Sequence, residues 1–260
     1  PNYDLAGTTD LDHDNSPDNV KPTIEEVEYI IKACNKLFPT ADYNIDDVKA
    51  AFAGVRPLVY QEGDKTGKVS REHTILQDKA NKTITIVGGK LTTYRIMSKQ
   101  ALDKAIRHMG VMKGKCVTDK LPLWGGEIKD WSDFYHTKSK ELVDEFSISD
   151  STANMLVQWY GSEIDFFKEF LVKYGTKKLH KDQVWLETQI VYACQVELAQ
   201  TPIDVMRRRM NIMFEQNNGL DLIDKVVAIM AEQLNWDDKT KSDMSDQTKE
   251  YIEKYIRVRN

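Results

Sequence analysis

One change in the spacing of apolar residues constrains the fold of this chain more than any other feature. The first hundred residues mix strand and helix patterns and end in the β-branched run 83–87, which favours a well-buried strand. After Gly88-Gly89 the period of the apolar residues changes from two to 3.6, and it stays helical until Gly110. We therefore predict an α+β region over 1–112 and an all-helical domain over 113–260.

Composition narrows the class of protein. With 260 residues and 41% apolar content, the chain can bury a substantial core. The 41 acidic and 36 basic residues are interleaved, so no nucleic-acid surface is indicated. No apolar run approaches the ~20 residues that cross a bilayer, and any membrane contact is expected to be peripheral. The three cysteines lie far apart, which predicts reduced thiols and no metal site.

Helix boundaries are indicated by capping residues, glycine and proline. The segment Thr23 to Phe38 is predicted to be a helix with Thr23 as its cap and Pro39 as its end. An extended segment at 48–60, a loop at 61–68 and a returning strand at 70–77 are predicted to form a hairpin-like excursion. Further helices are predicted near 131–146, 149–160 (with a stop at Gly161), 162–174 (capped by Ser162, with a stop at Gly175), 182–199, 202–215 (capped by Thr201), 219–235 and 245–257.

The segment Ile86-Val87-Gly88-Gly89-Lys90-Leu91-Thr92-Thr93-Tyr94-Arg95 is the most informative for chemistry. A strand that leads through two glycines into a helix lets the backbone approach a ligand and directs unpaired amides at negative charge. Such a site suits a phosphate or an electron-rich ring, and Lys90 would add a positive charge. The alternative is that the glycines only permit a tight turn, since the GxGxxG spacing of dinucleotide sites is absent.

Two arginines flank the predicted excursion. If its two flanks run side by side, Arg56 and Arg71 converge, and a pair of guanidinium groups suits a phosphate dianion. For an isolated arginine the ordinary alternative is a surface residue paired with Glu62, Asp64 or Glu72. His73 is the one histidine that adjoins this candidate site, and a role in acid–base catalysis is the minor alternative to a satisfied side chain.

The basic cluster Arg207-Arg208-Arg209 lies in a predicted helix. Most such clusters are solvated or pair with acidic side chains, and contact with an anionic lipid or a cofactor is the alternative. The five tryptophans are interpreted as packing residues rather than a ligand cage.

Four blocks together resemble the FAD-dependent glycerol-3-phosphate dehydrogenases, in order and in spacing. They are Gly7-Thr8-Thr9-Asp10, Ala53-Gly54-Val55-Arg56-Pro57-Leu58, Ser70-Arg71-Glu72-His73 and Gly88-Gly89-Lys90-Leu91-Thr92-Thr93-Tyr94-Arg95. The resemblance implies oxidation of sn-glycerol 3-phosphate to dihydroxyacetone phosphate, with hydride passing to FAD and electrons to a membrane quinone. The family's amino-terminal GxGxxG segment is not in this sequence, so the chain is expected to be a carboxy-terminal part that binds FAD poorly and is inactive alone.

The resemblance also implies site residues. Arg56 and Arg71 match the positions that bind the substrate phosphate, and Lys90 also matches a substrate-binding position. Gly88, Gly89, Lys90, Leu91 and Thr92 match the positions at the flavin. The catalytic base is not identified. Near Arg207 the sequence departs from the family's pattern, because Arg209-Met210 stand where a threonine and an arginine are usual, which leaves the role of this cluster open.

Three alternatives remain at this point. An oxygen-using glycerol-3-phosphate oxidase would be expected to carry a long insertion between the Arg56 and Arg71 blocks, which is absent here, so a quinone-reducing dehydrogenase is favoured. An amino-acid oxidase of the same superfamily is disfavoured by the first and last blocks. The helical half could instead be a dimerisation or docking module. The expected location is the cytoplasmic face of a bacterial inner membrane, or the mitochondrial inner membrane in a eukaryote.

Overall fold

The computed structural model describes residues 4–56, 72–112, 114–215 and 217–258. Within these ranges the chain forms one two-stranded sheet and eight α-helices. The elements are α1 (Ile24–Leu37), β1 (Thr74–Asp78), β2 (Thr83–Val87), α2 (Tyr94–Met109), α3 (Trp131–Phe146), α4 (Asp150–Tyr160), α5 (Ile164–Tyr174), α6 (Glu187–Gln195), α7 (Ile223–Leu234) and α8 (Asp238–Tyr255). The predicted fold class, an α+β region followed by helices, is confirmed.

The chain divides into two compact units. The helical unit comprises the described residues of Pro1–Gly7, Lys21–Ala53 and Pro122–Asn260, and the hairpin unit those of Thr8–Val20 and Gly54–Leu121. The division at 112/113 that the sequence suggests remains a prediction. None of the helices in the described ranges is both long enough and apolar enough to cross a bilayer.

In the hairpin unit β1 and β2 pair antiparallel, from Thr74 opposite Val87 to Asp78 opposite Thr83. The predicted strand 83–87 is confirmed, but its predicted full burial is wrong, since Ile86 keeps 40% of its surface exposed. The reason is that, among the described residues of this unit, α2 is the helix that packs on the hairpin. Its Lys104 Nζ donates to the Ile75 carbonyl at 2.6 Å. Residues 57–71, which include the predicted loop, lie outside the described ranges.

The helical unit is built around two cores. One is formed by buried residues of α6, α7 and the segment 199–213, joined by the end of α8. The other lies between α3, α4 and α5 and receives Tyr192 from α6. Its centre is aromatic, because the Tyr160 and Phe167 rings stack at 4.1 Å and the Tyr192 ring meets Tyr160 edge-on at 5.1 Å. Burial of such large rings contributes strongly to the stability of a core.

Local capping signals gave correct helix starts. Thr23 and Glu26 form a reciprocal capping box at α1, and the predicted helix 131–146 coincides with α3. The exception is Ser162, which does not cap α5. It lies inside a single 3-10 turn, and its Oγ accepts from the Glu127 amide at 3.4 Å.

Three predicted helices differ from the structure where tertiary packing outweighs local preference. The stretch 182–199 is helical only over α6, because a bridge between Lys178 and Leu186 holds the residues before it extended. The stretch 202–215 forms a π-helix at Asp204–Arg209, in which the Met210 amide donates to the Val205 carbonyl at 2.9 Å. The last helix begins at Asp238, because Asp237 accepts a hydrogen bond from the Thr240 amide.

Candidate functional site

The turn between β2 and α2 depends on glycine. Gly88 has φ 73° and Gly89 φ 98°, both in the left-handed region that L side chains rarely adopt. A Cβ on Gly89 would also lie 2.5 Å from the Met97 sulfur and 3.2 Å from the His73 Cβ. A side chain at position 89 would therefore collide with Met97 of α2, and glycine is required there for steric as well as conformational reasons.

The helix start after this turn offers donors to an anion. Lys90 is extended, and Leu91–Thr93 form one 3-10 turn that continues into α2. The Thr93 amide donates to the Lys90 carbonyl at 2.9 Å, whereas the Leu91 and Thr92 amides donate to no acceptor among the described residues. The Leu91 side chain is 88% exposed. Two unpaired amides and Lys90 thus lie together at the amino-terminal end of a helix, where negative charge is favoured, and their role toward a ligand remains a prediction.

His73 lies beside this turn. Its Nε2 is 2.6 Å from Gln100 Oε1 on α2, and the residue is half-buried. This contact gives one ring nitrogen of His73 a hydrogen-bonding partner within the hairpin unit. A catalytic role for His73 stays a prediction.

Arg56 forms an ion pair with Asp10 within the hairpin unit. The pair joins Asp10 of the first sequence block to Arg56 of the second. Sequence reasoning missed Asp10 as the partner because the two residues are 46 positions apart and carry no local signal of contact. Arg71 lies outside the described residues, so its convergence with Arg56 stays a prediction.

These features fit a planar, electron-rich ring or a phosphate. The two glycines carry no side chains that could block a flat ligand, and the following amides and Lys90 would stabilise negative charge on it. Arg56 supplies a planar fork of donors suited to a phosphate oxygen pair. The predictions that Lys90, Leu91 and Thr92 hold a flavin ring and that Arg56 holds a phosphate are therefore compatible with this geometry and remain predictions.

The arginine cluster is engaged within its own unit. Arg208 Nη1 lies 2.5 Å from Asp204, and Arg209 Nε lies 3.5 Å from Glu197. Arg207 stands over the Tyr251 ring at 5.5 Å, and burial together with the charge of Arg208 lowers the pKa of Arg207. Pairing with acidic side chains, the ordinary interpretation of such a cluster, thus holds for Arg208 and Arg209.

Comparison with known proteins supports the resemblance seen in the sequence. Residues 116–241 match the C-terminal domain of alpha-glycerophosphate oxidase. The chain is 32% identical over 241 residues to proteins named aerobic glycerol-3-phosphate dehydrogenase from Staphylococcus aureus strains USA300 and COL, covering 89% of this chain and 42% of each relative.

The structure is also similar to that of the glycerol-3-phosphate dehydrogenase from Bacillus halodurans complexed with FAD. The TM-score is 0.78 at 25% sequence identity, over 96% of this chain and 48% of that protein. The chain spans less than half the length of these relatives. Its resemblance to the FAD-dependent glycerol-3-phosphate dehydrogenases is confirmed, and the similarity is to the carboxy-terminal part of those proteins.

Proposed function

We propose that the protein to which this chain belongs oxidises sn-glycerol 3-phosphate to dihydroxyacetone phosphate with FAD as its cofactor. The observation that carries the proposal is the helix start at Leu91 and Thr92, whose amides and neighbouring Lys90 suit an anionic ring. The relatives named for this activity, and the solved relative complexed with FAD, support the same assignment.

Each site residue has a proposed role. FAD, when bound, supplies the acceptor for the hydride that leaves the secondary alcohol carbon. Lys90 and the amides of Leu91 and Thr92 stabilise negative charge at the ring, and Gly88-Gly89 lets the ring approach the backbone. Arg56 and Arg71 bind the substrate phosphate. The group that accepts the alcohol proton is not assigned.

The electron acceptor is proposed to be a membrane quinone. The short interval between the Arg56 and Arg71 blocks favours a dehydrogenase over an oxygen-using oxidase. The match of residues 116–241 to a domain named for an oxidase keeps the oxidase as the second candidate. Peripheral contact with the cytoplasmic face of a bacterial inner membrane, or with a mitochondrial inner membrane, is part of the same proposal, as is a homodimer.

Anaerobic flavin reduction tests the proposal. The chain is expressed together with whatever precedes it in its gene, and the visible flavin absorbance is followed as glycerol 3-phosphate is added. We expect bleaching with this substrate and none with amino acids. A yellow protein that stays oxidised would reject the substrate, and a colourless protein would favour a helical interaction module without its own chemistry.

The acceptor is tested separately, by turnover with a soluble quinone under nitrogen and with oxygen alone. A dehydrogenase is expected to turn over fast with the quinone and to release little hydrogen peroxide in air. Fast peroxide release would favour the oxidase. Co-sedimentation with anionic vesicles at low and high salt tests the membrane contact, and light scattering tests the dimer.

A further inference from the structure

Polar contacts join α2 to the strand segment 73–77 of the hairpin unit. Three side chains of α2, each four residues from the next, contact alternate residues of this segment. The three pairs are Gln100 with His73, Lys104 with Ile75, and His108 with Gln77. We call these pairs the α2 polar row.

We propose that the α2 polar row holds the start of α2 in the position that the flavin requires, which makes Gln100 and Lys104 positioning residues. The inference rests on the proposed function, because it assumes that the amides of Leu91 and Thr92 face a flavin ring. Gln100 lies nine positions after Leu91, roughly 14 Å along a helix, so these residues act through the helix and not by contact with the ring.

The two pairs nearest the start of α2 have short hydrogen-bonding distances. His73 Nε2 lies 2.6 Å from Gln100 Oε1. Lys104 Nζ donates to the Ile75 carbonyl, also at 2.6 Å. A hydrogen bond from a charged donor is stronger than a neutral one, and this bond ends on the main chain. It therefore fixes the backbone of β1, and not only a side chain, relative to α2.

The spacing of the pairs follows from the geometry of a helix and a strand. Four residues of an α-helix advance by about 6.0 Å, and two residues of a strand advance by about 6.6 Å. Side chains four apart on a helix can therefore meet strand residues two apart when both elements run in the same direction. The third pair, His108 Nδ1 with Gln77 Nε2 at 3.0 Å, continues this match. Sliding α2 by one turn would break all three pairs at once, so the row specifies a single register.

The first pair of the row lies beside the glycine turn. A Cβ on Gly89 would come within 3.2 Å of the His73 Cβ, so the chain segments approach closely there. Thr93 ties the turn to α2, because its hydroxyl donates to the Lys90 carbonyl at 2.9 Å and lies 3.4 Å from the Met97 sulfur. The row, the turn and the helix start thus form one connected set of contacts within the hairpin unit.

The position of the helix start has a consequence for the flavin. The positive end of a helix stabilises an anion only over a short distance, so its placement decides how strongly it acts. Reduction places negative charge on the flavin ring. If α2 is free to slide, the amides of Leu91 and Thr92 stabilise that charge less, and the equilibrium shifts toward oxidised flavin. We therefore expect the flavin reduction potential to depend on the α2 polar row.

The test variant is Lys104→Met, with Lys99→Met as its matched control, both in the full-length protein with bound FAD. Each substitution removes one positive charge from α2 and keeps an unbranched side chain. Lys99 pairs with Asp103 of the same helix at 2.9 Å, so its replacement leaves the row intact. Lys99 is also five residues nearer the start of α2, so an effect of charge alone should be at least as large in the control.

Two readouts are taken. Amide hydrogen exchange over 91–97 shows whether the helix start is loosened, and equilibration with a redox dye of known potential measures the flavin reduction potential. For Lys104→Met we expect faster exchange and a fall of about threefold to tenfold in the equilibrium constant for flavin reduction, a potential about 15–30 mV more negative. Lys99→Met should change neither readout, and Lys104→Arg, which keeps a charged donor, should restore both.

A second variant interrupts the row without changing charge. Gln100 is exposed, so Gln100→Leu should fold, and it should shift both readouts in the same direction as Lys104→Met. Unchanged exchange in both variants, faster exchange with an unchanged potential, or an equal shift in Lys99→Met would overturn the proposal. The dye measurement needs no substrate, so a protein that binds FAD but is not reduced by glycerol 3-phosphate rejects the proposed substrate alone. A wild-type protein that binds no FAD overturns both proposals.

Discussion

The Asp10–Arg56 ion pair is the contact that most affects the interpretation of individual residues. Both side chains are substantially exposed, at 54% and 39%, and exposed pairs contribute little to folding stability. The main effect of Asp10 is therefore to orient the guanidinium of Arg56, which keeps further donors available for a phosphate. An arginine oriented in this way is better suited to bind a phosphate than one that is free in solvent.

Replacing Arg56 tests its proposed role. Arg56→Ala in the full-length protein should raise KM for glycerol 3-phosphate by about tenfold to a hundredfold, because a charge-assisted hydrogen bond contributes roughly 1.5–3 kcal/mol. The flavin content should be unchanged. The control is Arg107→Ala, an arginine of α2 whose Nε donates to the Asp103 carbonyl at 3.1 Å. Equal KM values in both variants would remove Arg56 from the site.

The cysteines should differ in reactivity. Hydrogen bonding to Thr118 lowers the pKa of Cys116, whereas burial raises the pKa of Cys194 to about 11. Because the thiolate is the reactive form, a chromogenic disulfide reagent near pH 7.5 should label Cys116 first and Cys194 only after unfolding. Peptide mapping after short exposures checks the order. Thr118→Val should slow the reaction of Cys116, and rapid labelling of native Cys194 would contradict the packing of α6.

At the scale of elements, agreement between sequence and structure depends on how local the signal is. Thr23 and Asp130 cap helices through neighbours three residues away, so α1 and α3 could be predicted closely. The π-helix at Asp204–Arg209 could not, because Met206 and Met210 are buried in the core, where tertiary packing outweighs local helix preference.

In the candidate site, too, features set by neighbouring residues could be predicted and contacts between distant residues could not. Gly88-Gly89 and the helix start after it were predictable, since a strand, two glycines and a helix are contiguous in the sequence. The partner of Arg56 was not, because Asp10 belongs to a distant block.

Two glycines that end helices of equal length should differ in how much stability is lost when each is replaced by alanine. Gly161 ends α4 with φ 54°, and Gly175 ends α5 with φ 82°. An alanine Cβ at position 175 would have no atom of a non-adjacent residue within 4 Å. Gly175→Ala should therefore lower the free energy of unfolding by about 1–3 kcal/mol through backbone strain alone. Gly161→Ala should cost more, because its Cβ would meet the Gly125 carbonyl oxygen, which belongs to backbone and cannot move freely.

Urea unfolding followed by tryptophan fluorescence measures this difference. The midpoint should fall further for Gly161→Ala than for Gly175→Ala, with the slope of the transition unchanged. Equal midpoints would mean that the Gly125 carbonyl does not pack against Gly161 at the end of α4.

At the scale of the whole molecule, burial is unevenly distributed. Every buried residue among the described positions belongs to the helical unit, which contains both cores. The described part of the hairpin unit has none and exposes large apolar side chains, among them Leu76, Leu91 and Leu102. Because apolar burial is the main source of stability, the hairpin unit should open at a much lower free energy than the helical unit.

Two probes can follow the units separately as urea is raised. All five tryptophans belong to the helical unit, so fluorescence reports that unit, while amide hydrogen exchange over 74–109 reports the hairpin unit. The hairpin amides should lose protection well below the fluorescence midpoint, whereas the amides of α6 and α7 should lose it together with the fluorescence change. Coincident transitions would instead show one cooperative unit.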